Sequence, residues 1–184
     1  ELLRGLPLSR HLRLGPLTPR QSLTILSQLS EGLHVAHEQG IIHRDIKPGN
    51  IFLEWKTTIC AKLIDFGIAK ALDHGGQTQT QSTFGTPHYM SPEQIQSTKS
   101  VTTSSDIYSL GVVLYECLEG DTPHQAEETF QILMKHINEE VPPIQNRFNL
   151  ASESFDAIQK LLSEMTDRDL TQRVSSALEV HERC

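Results

Sequence analysis

Residues 43–50 read His43-Arg44-Asp45-Ile46-Lys47-Pro48-Gly49-Asn50, and fifteen residues after Asn50 comes Asp65-Phe66-Gly67. This stretch gathers two carboxylates, a side-chain amide and a lysine. Asp45 suits a substrate hydroxyl that must be aimed and relieved of its proton. Asn50 and Asp65 suit a hard cation, which prefers oxygen ligands. Moving a phosphoryl group between oxygens needs both, because catalysis there is mostly positioning and neutralisation of charge.

Outward from this core, Thr86-Pro87-His88-Tyr89-Met90-Ser91-Pro92-Glu93 follows, then Ser104-Ser105-Asp106-Ile107-Tyr108-Ser109-Leu110-Gly111, then Arg173-Val174-Ser175-Ser176-Ala177. In order and spacing these pieces resemble the protein kinase superfamily: a catalytic loop ending in Asn, an Asp-Phe-Gly element, an activation-segment end with Ser91 where Ala is usual, a central helix and a C-terminal helical pair. The resemblance covers essentially the whole chain. Lys47 and Gly85-Thr86 resemble the serine/threonine branch, and residues 85–94 are most similar to its bacterial, eukaryotic-like members. The fold implied is α+β, a mainly α-helical large lobe with short β-hairpins at the catalytic loop. Residues 1–184 are then expected to be a kinase-domain fragment, hinge plus large lobe, with the activation segment at 65–93. No Gly-x-Gly-x-x-Gly occurs before the catalytic stretch. The small lobe is therefore expected to lie outside this chain, which would be inactive alone.

With 184 residues, 37% hydrophobic and 21% charged, the chain is long enough for one substantial core. A net charge of −7 argues against a nucleic-acid surface and weakly favours basic peptide substrates. No apolar run approaches the roughly 18 residues of a membrane span. Cys60, Cys117 and Cys184 are widely spaced without a Cys-x-x-Cys pair, which suggests neither a disulfide framework nor a zinc site. A cytoplasmic domain is expected, within a longer protein that family members of this type often anchor in a membrane.

Thr18-Pro19 reads as a helix start, a capping hydroxyl followed by Pro at the first helical position. Leu23, Leu26, Leu29, Leu33 and Ala36 then recur at helical spacing up to Gly40. Ile41-Ile42, residues 51–53 and residues 61–64 read as short strands around the catalytic loop. Residues 73–86 read as a polar loop. Ser104 is the expected cap of a helix apolar on most sides. Amphipathic stretches near 126–138, 154–165 and 174–182 complete a helical lobe.

The resemblance implies a role for each site residue, and each role has a plainer alternative. Asp45 would orient the acceptor hydroxyl, or merely cap its own loop. Lys47 would steady the γ-phosphate of ATP, or be a solvated lysine. Asn50 and Asp65 would hold magnesium, or be turn residues. Phe52 would floor the adenine, or be a strand's core Phe, while Glu1 and Leu3 would form the adenine-contacting hinge. His43 and Phe66 would stack in a hydrophobic spine. Arg44 and Lys70 would receive a phosphate on the activation loop, at Thr78 or Thr80, with Ser82 or Thr83 as runners-up; such a group adds about −2 of charge and several acceptor oxygens. Thr86 would mark serine/threonine specificity by bonding Asp45 and Lys47. Glu93 and Arg173 would form a buried ion pair, where losing one partner costs about 3–5 kcal/mol. Asp106 would hold the catalytic-loop backbone, or be a first-turn acid favoured by the helix dipole. His34 and His37, three apart on a helix, lack a third ligand and read as surface or core histidines. Thr122-Pro123-His124 departs from the family pattern and leaves local packing open.

The function implied is ATP- and magnesium-dependent transfer to Ser and Thr hydroxyls of protein substrates, with self-association for autophosphorylation of the activation loop. The alternatives are a regulatory scaffold that keeps the fold without turnover, and a small-molecule phosphotransferase, which would generally lack the Pro92-Glu93 segment.

Overall fold

A computed structural model describes residues 5–55, 58–66 and 87–184, without the side chains of Trp55 and Thr98. A three-stranded antiparallel sheet is built from β1 (Leu6–Pro7), β2 (Ile51–Trp55) and β3 (Ile59–Leu63), in the order β1-β2-β3. Leu6 pairs with Leu53, and Phe52 sits between Pro7 and Lys62. The helices are α1 (Leu8–Leu12), α2 (Pro19–Glu38), α3 (Pro92–Gln96), α4 (Thr103–Glu119), α5 (Thr129–Asn138), α6 (Ser152–Met165) and α7 (Ala177–Glu182).

Thr18 caps α2 as its sequence predicts. Its hydroxyl accepts from the Gln21 N–H at 3.3 Å and Gln21 Oε1 accepts from the Thr18 N–H at 3.0 Å, satisfying two otherwise orphaned donors. The helix buries Ile25, Leu26, Leu29 and Leu33 and gives way at Gly40, which takes φ +72°. Gln28, also on α2, donates from Nε2 to the Ile59 carbonyl at 2.9 Å and accepts from the Ala61 N–H at 2.7 Å. One amide thus fixes the β2-β3 hairpin on the helix, and with it the loop leading into β2.

At the centre lies α4, whose residues 105–115 are all buried, as an apolar pattern on most sides predicts. Two expectations need correction. Ile41-Ile42 forms no strand, because the Ile41 N–H is taken by the Ala36 carbonyl at 2.9 Å as part of the α2 terminus. The cap of α4 is Thr102 rather than Ser104. Its N–H donates to Ser105 Oγ at 3.3 Å, while the Ser104 carbonyl accepts from Arg173 at 3.1 Å. The amphipathic stretches form α5, α6 and α7 within a few residues of their expected bounds.

Candidate active site

Residues 43–50 link α2 to β2, and their backbone is held from below by α4. Asp106, 1% exposed, accepts the His43 N–H on Oδ2 at 2.8 Å and the Arg44 N–H on Oδ1 at 2.9 Å. A third donor, His37 Nε2 from the last turn of α2, reaches Oδ2 at 2.9 Å. Arg44 takes φ +66°, a left-handed conformation costing a non-glycine residue on the order of 1–3 kcal/mol unless its surroundings impose it. The Asp106 bond on one side and Gln94 Nε2, 3.2 Å from the Arg44 carbonyl on the other, impose it. Arg44 is half-buried.

Asp45 follows, and its Oδ2 accepts from Lys47 Nζ at 2.9 Å and from Asn50 Nδ2 at 3.2 Å. The same Asn50 nitrogen donates to the Asp45 carbonyl at 2.8 Å, so the amide oxygen is the atom Asn50 offers elsewhere. Both ends of the Asp45–Lys47 pair keep about a fifth to a quarter of their side chains in solvent, 20% and 26%. A fully buried pair would be closed to a substrate; this one is open.

His43 is fully buried. Its Nδ1 accepts the Asp45 N–H at 3.3 Å, which places the ring proton on Nε2, where it is donated to the Ile64 carbonyl at 3.1 Å. Phe66 lies against the ring with centroids 4.7 Å apart and the planes tilted by 52°. The Ile64 N–H donates to the Asn50 carbonyl at 2.9 Å, extending the β2-β3 ladder so that Ile64 stands opposite Asn50 and Asp65 is the next residue in the chain. Asp65 is exposed and takes φ +56°, a second left-handed residue at the same site. Phe52 is half-buried on β2.

The start of α3 is pinned more deeply. Glu93 Oε1 and Oε2 accept from Arg173 at 2.7 and 3.2 Å, and Oε1 also accepts from Ser105 Oγ at 2.7 Å. Burial opposes ionisation of Glu93, but the Arg173 hydrogen bonds and charge overcome it and hold the carboxyl below its usual range. Beside Lys47 opens a cavity of about 510 Å³ lined by Leu12, Lys47, Gly49, Tyr89 and Glu116 among others. The Tyr89 hydroxyl donates to Glu116 at 2.6 Å, and burial raises the Glu116 carboxyl above its ordinary value.

The structure brings Asp45, Lys47, Asn50, His43, Phe66, Arg44, Glu93, Asp106 and Arg173 into one connected assembly, and Asp65 lies between Ile64 and Phe66 in the chain at its edge. Glu1, Leu3, Lys70, Thr78, Thr80, Ser82, Thr83 and Thr86 lie outside the described residues. His37, read from the sequence as a surface or core histidine, is a core one, bound to an acidic partner 69 residues away that no local pattern predicts, and the places of Gln94 and Glu116 carry no sequence signal either. The place of His37 beside the buried Leu33 and Ala36 on α2 hinted only at its burial. His124, where the family pattern breaks, is buried edge-on to His136 with ring centroids 4.7 Å apart.

Comparison with known proteins points the same way as this geometry. A family model described as "Protein kinase domain" matches residues 1–183. The chain is 35% identical over 181 residues to the probable serine/threonine-protein kinase PknB of Lactococcus lactis, covering 98% of this chain and 28% of that protein. It is 39% identical over 146 residues to the serine/threonine-protein kinase PknB of Mycobacterium tuberculosis, covering 78% of this chain and 23% of that one. With PknA of the same organism it shares 43% identity over 145 residues, 78% of this chain and 33% of the relative. The chain thus spans about a quarter to a third of the length of the curated relatives it matches.

Proposed function

This chain belongs to the protein kinase family, and from that premise we propose that it supplies the large-lobe half of the active site of a serine/threonine protein kinase, transferring the γ-phosphoryl of ATP to protein hydroxyls. The observation that carries the reading is the Asp45 carboxylate, held on one oxygen by Lys47 and Asn50 yet still open to solvent.

In this reading Asp45 orients the acceptor hydroxyl and receives its proton as the new phosphorus–oxygen bond forms and the bond from the γ-phosphorus to the bridging oxygen breaks, with ADP leaving. Lys47 lies 2.9 Å from that carboxylate and neutralises charge growing on the transferred group. Asn50 and Asp65 offer an amide and a carboxylate oxygen, a donor set that fits magnesium, which takes few protein ligands and keeps waters and phosphates for the rest. Bound there, the metal supplies electrostatic neutralisation of the phosphates. Asp106, His43 and His37 touch no substrate; they keep the loop in the conformation that aims Asp45. Thr86 as specificity marker, Glu1, Leu3 and Phe52 as adenine contacts, and Arg44 and Lys70 as acceptors of a phosphate on Thr78 or Thr80 complete the proposal, with self-association for autophosphorylation and a cytoplasmic site of action. Among the described residues no helix is long and apolar enough to cross a membrane. The competing scaffold reading keeps the fold without turnover.

Phosphate transfer by the complete gene product with magnesium and ATP tests the proposal, read by mass spectrometry against Asp45→Asn. Phosphate on Thr78 or Thr80 in the wild type alone is the expected result. The absence of any Asp45-dependent transfer, to itself or to a generic basic substrate, would leave the scaffold reading in its place.

A further inference from the structure

We infer that Gln94 is a positioning residue for the catalytic loop, a link through which the start of α3 sets the direction of the Asp45 side chain; the inference rests on the phosphoryl-transfer role proposed for Asp45. Gln94 is the third residue of α3, only 9% exposed, and fifty positions away from Arg44 in the chain. Its amide works in two directions. Oε1 accepts the Ser91 N–H at 3.0 Å, closing the capping box whose other half is the Gln94 N–H on Ser91 Oγ at 3.4 Å. Nε2 donates to the Arg44 carbonyl at 3.2 Å. Both partners are backbone groups with fixed roles, since an N–H can only donate and a carbonyl only accept. The amide therefore has one orientation that satisfies them, and flipping it would break both bonds.

The Arg44 carbonyl and the Asp45 N–H belong to one rigid peptide plane. Gln94 holds that plane at its oxygen and His43 Nδ1 holds it at its nitrogen. Asp106 fixes the plane before it through the Arg44 N–H. With Arg44 left-handed at φ +66°, loss of these bonds would let the plane relax toward the helical or extended conformations that a non-glycine residue favours, and its rotation carries the Cα of Asp45 with it. Asp106 and His43 both sit beneath or within the catalytic loop. Gln94 alone of the three comes from the end of the activation segment, where Ser91, Pro92 and Glu93 are themselves buried. Its contact transmits the placement of that segment to the residue that meets the acceptor.

Gln94→Glu isolates this contact. The variant keeps the size of the side chain and an oxygen for the Ser91 N–H, and the acid suits the first turn of a helix, but the ionised carboxylate has no donor for the Arg44 carbonyl. Ser91→Ala is the complementary control, removing the cap hydroxyl while leaving the Gln94 amide. In the full-length protein, Gln94→Glu is expected to lower kcat by roughly tenfold or more while leaving KM for ATP unchanged, as displacement of an aimed catalytic group does. Without nucleotide, the peptide spanning residues 43–50 should exchange its amide hydrogens faster in Gln94→Glu than in the wild type. Ser91→Ala should lower the melting temperature and leave kcat in place. Wild-type kcat together with wild-type exchange over 43–50 in Gln94→Glu would overturn the inference. So would a loss of kcat that Ser91→Ala reproduces in step with its melting temperature, since that is loss of stability alone. If the wild type itself shows no Asp45-dependent transfer, the proposed function falls, and the exchange measurement still decides whether Gln94 holds the loop.

Discussion

Both oxygens of Asp106 point at backbone N–H groups of the catalytic loop, and a histidine from another helix completes the set. An isosteric change makes the consequence measurable. Asp106→Asn keeps one acceptor oxygen but turns an NH₂ group toward donors that have no other use for it, leaving at least one buried N–H unsatisfied. A hydrogen bond to a charged group and the cost of an orphaned donor are each worth about 1–3 kcal/mol, so urea unfolding should show a loss of that order. Because the orphan is the N–H of His43 or Arg44, Asp45-dependent phosphate transfer should fall in the same variant at temperatures well below its melting point. Unchanged stability and unchanged transfer would mean that the acid is the plain first-turn residue that the sequence alone also allows. At this scale much of the site was legible. Asp45, Lys47, Asn50, Asp65, Glu93, Asp106 and Arg173 stand at motif positions; in the structure Asn50 bonds Asp45, Asp106 bonds the backbone of His43 and Arg44, and Glu93 bonds Arg173. Gln94 and His37 were not legible, because each acts through a partner whose distance in the chain no local pattern encodes.

Helix packing shows where elements, rather than residues, decide the outcome. Gly111 lies midway along α4, and a Cβ placed on it would stand 2.7 Å from Thr166 Cγ2 and 3.1 Å from Met165 Cβ, at the end of α6. Two effects oppose each other in Gly111→Ala. Alanine gains up to about 1 kcal/mol of helix propensity, whereas overpacking a buried contact costs about 1–3 kcal/mol. Thr166 is itself buried and its Oγ1 donates to the Leu162 carbonyl at 2.8 Å, so its methyl cannot swing aside without breaking that bond. The clash should therefore win, and the variant should melt below the wild type by an amount equivalent to about 1–2 kcal/mol; a higher melting temperature would show that α6 yields freely. The long periodic helices were read from sequence to within a few residues because their patterns repeat over several turns. The two-residue β1 could not be, since its only signature is pairing with Leu53 and Phe52, far along the chain. Ile41-Ile42 misled for the opposite reason: two β-branched residues suit a strand locally, but the helix terminus before them had already claimed their backbone.

Across the whole molecule, polar groups tie together segments that the hydrophobic core alone would leave free to slide. Glu93 and Arg173 join α3 to the C-terminal helices, with Arg173 also lying 5.0 Å over the Tyr108 ring. The Tyr108 hydroxyl and His136 Nδ1 share a hydrogen bond at 2.8 Å, and His124 closes the other side of that imidazole. Burial disfavours the charged ring and the neighbouring His124 adds to this, so the His136 pKa is pushed down to about 3; burial also lowers His124. In the unfolded chain both titrate near 6.5. The unfolded state therefore binds more protons below that pH, and the stability these groups contribute is full above about 6.5 and is lost as pH falls toward about 3. From pH 7 to pH 5 the loss due to His136 alone is about 2 kcal/mol. Glu116, whose carboxyl is raised by burial, contributes a slope of opposite sign, but it is common to wild type and variant and cancels between them. His136→Gln supplies an oxygen for the Tyr108 hydroxyl and does not titrate, so its stability should fall by about 2 kcal/mol less than that of the wild type between the two pH values. Equal slopes in the two proteins would mean that the buried imidazole finds a proton acceptor in the fold and carries its charge there, so that acid would not loosen α5 from α3, against which it packs.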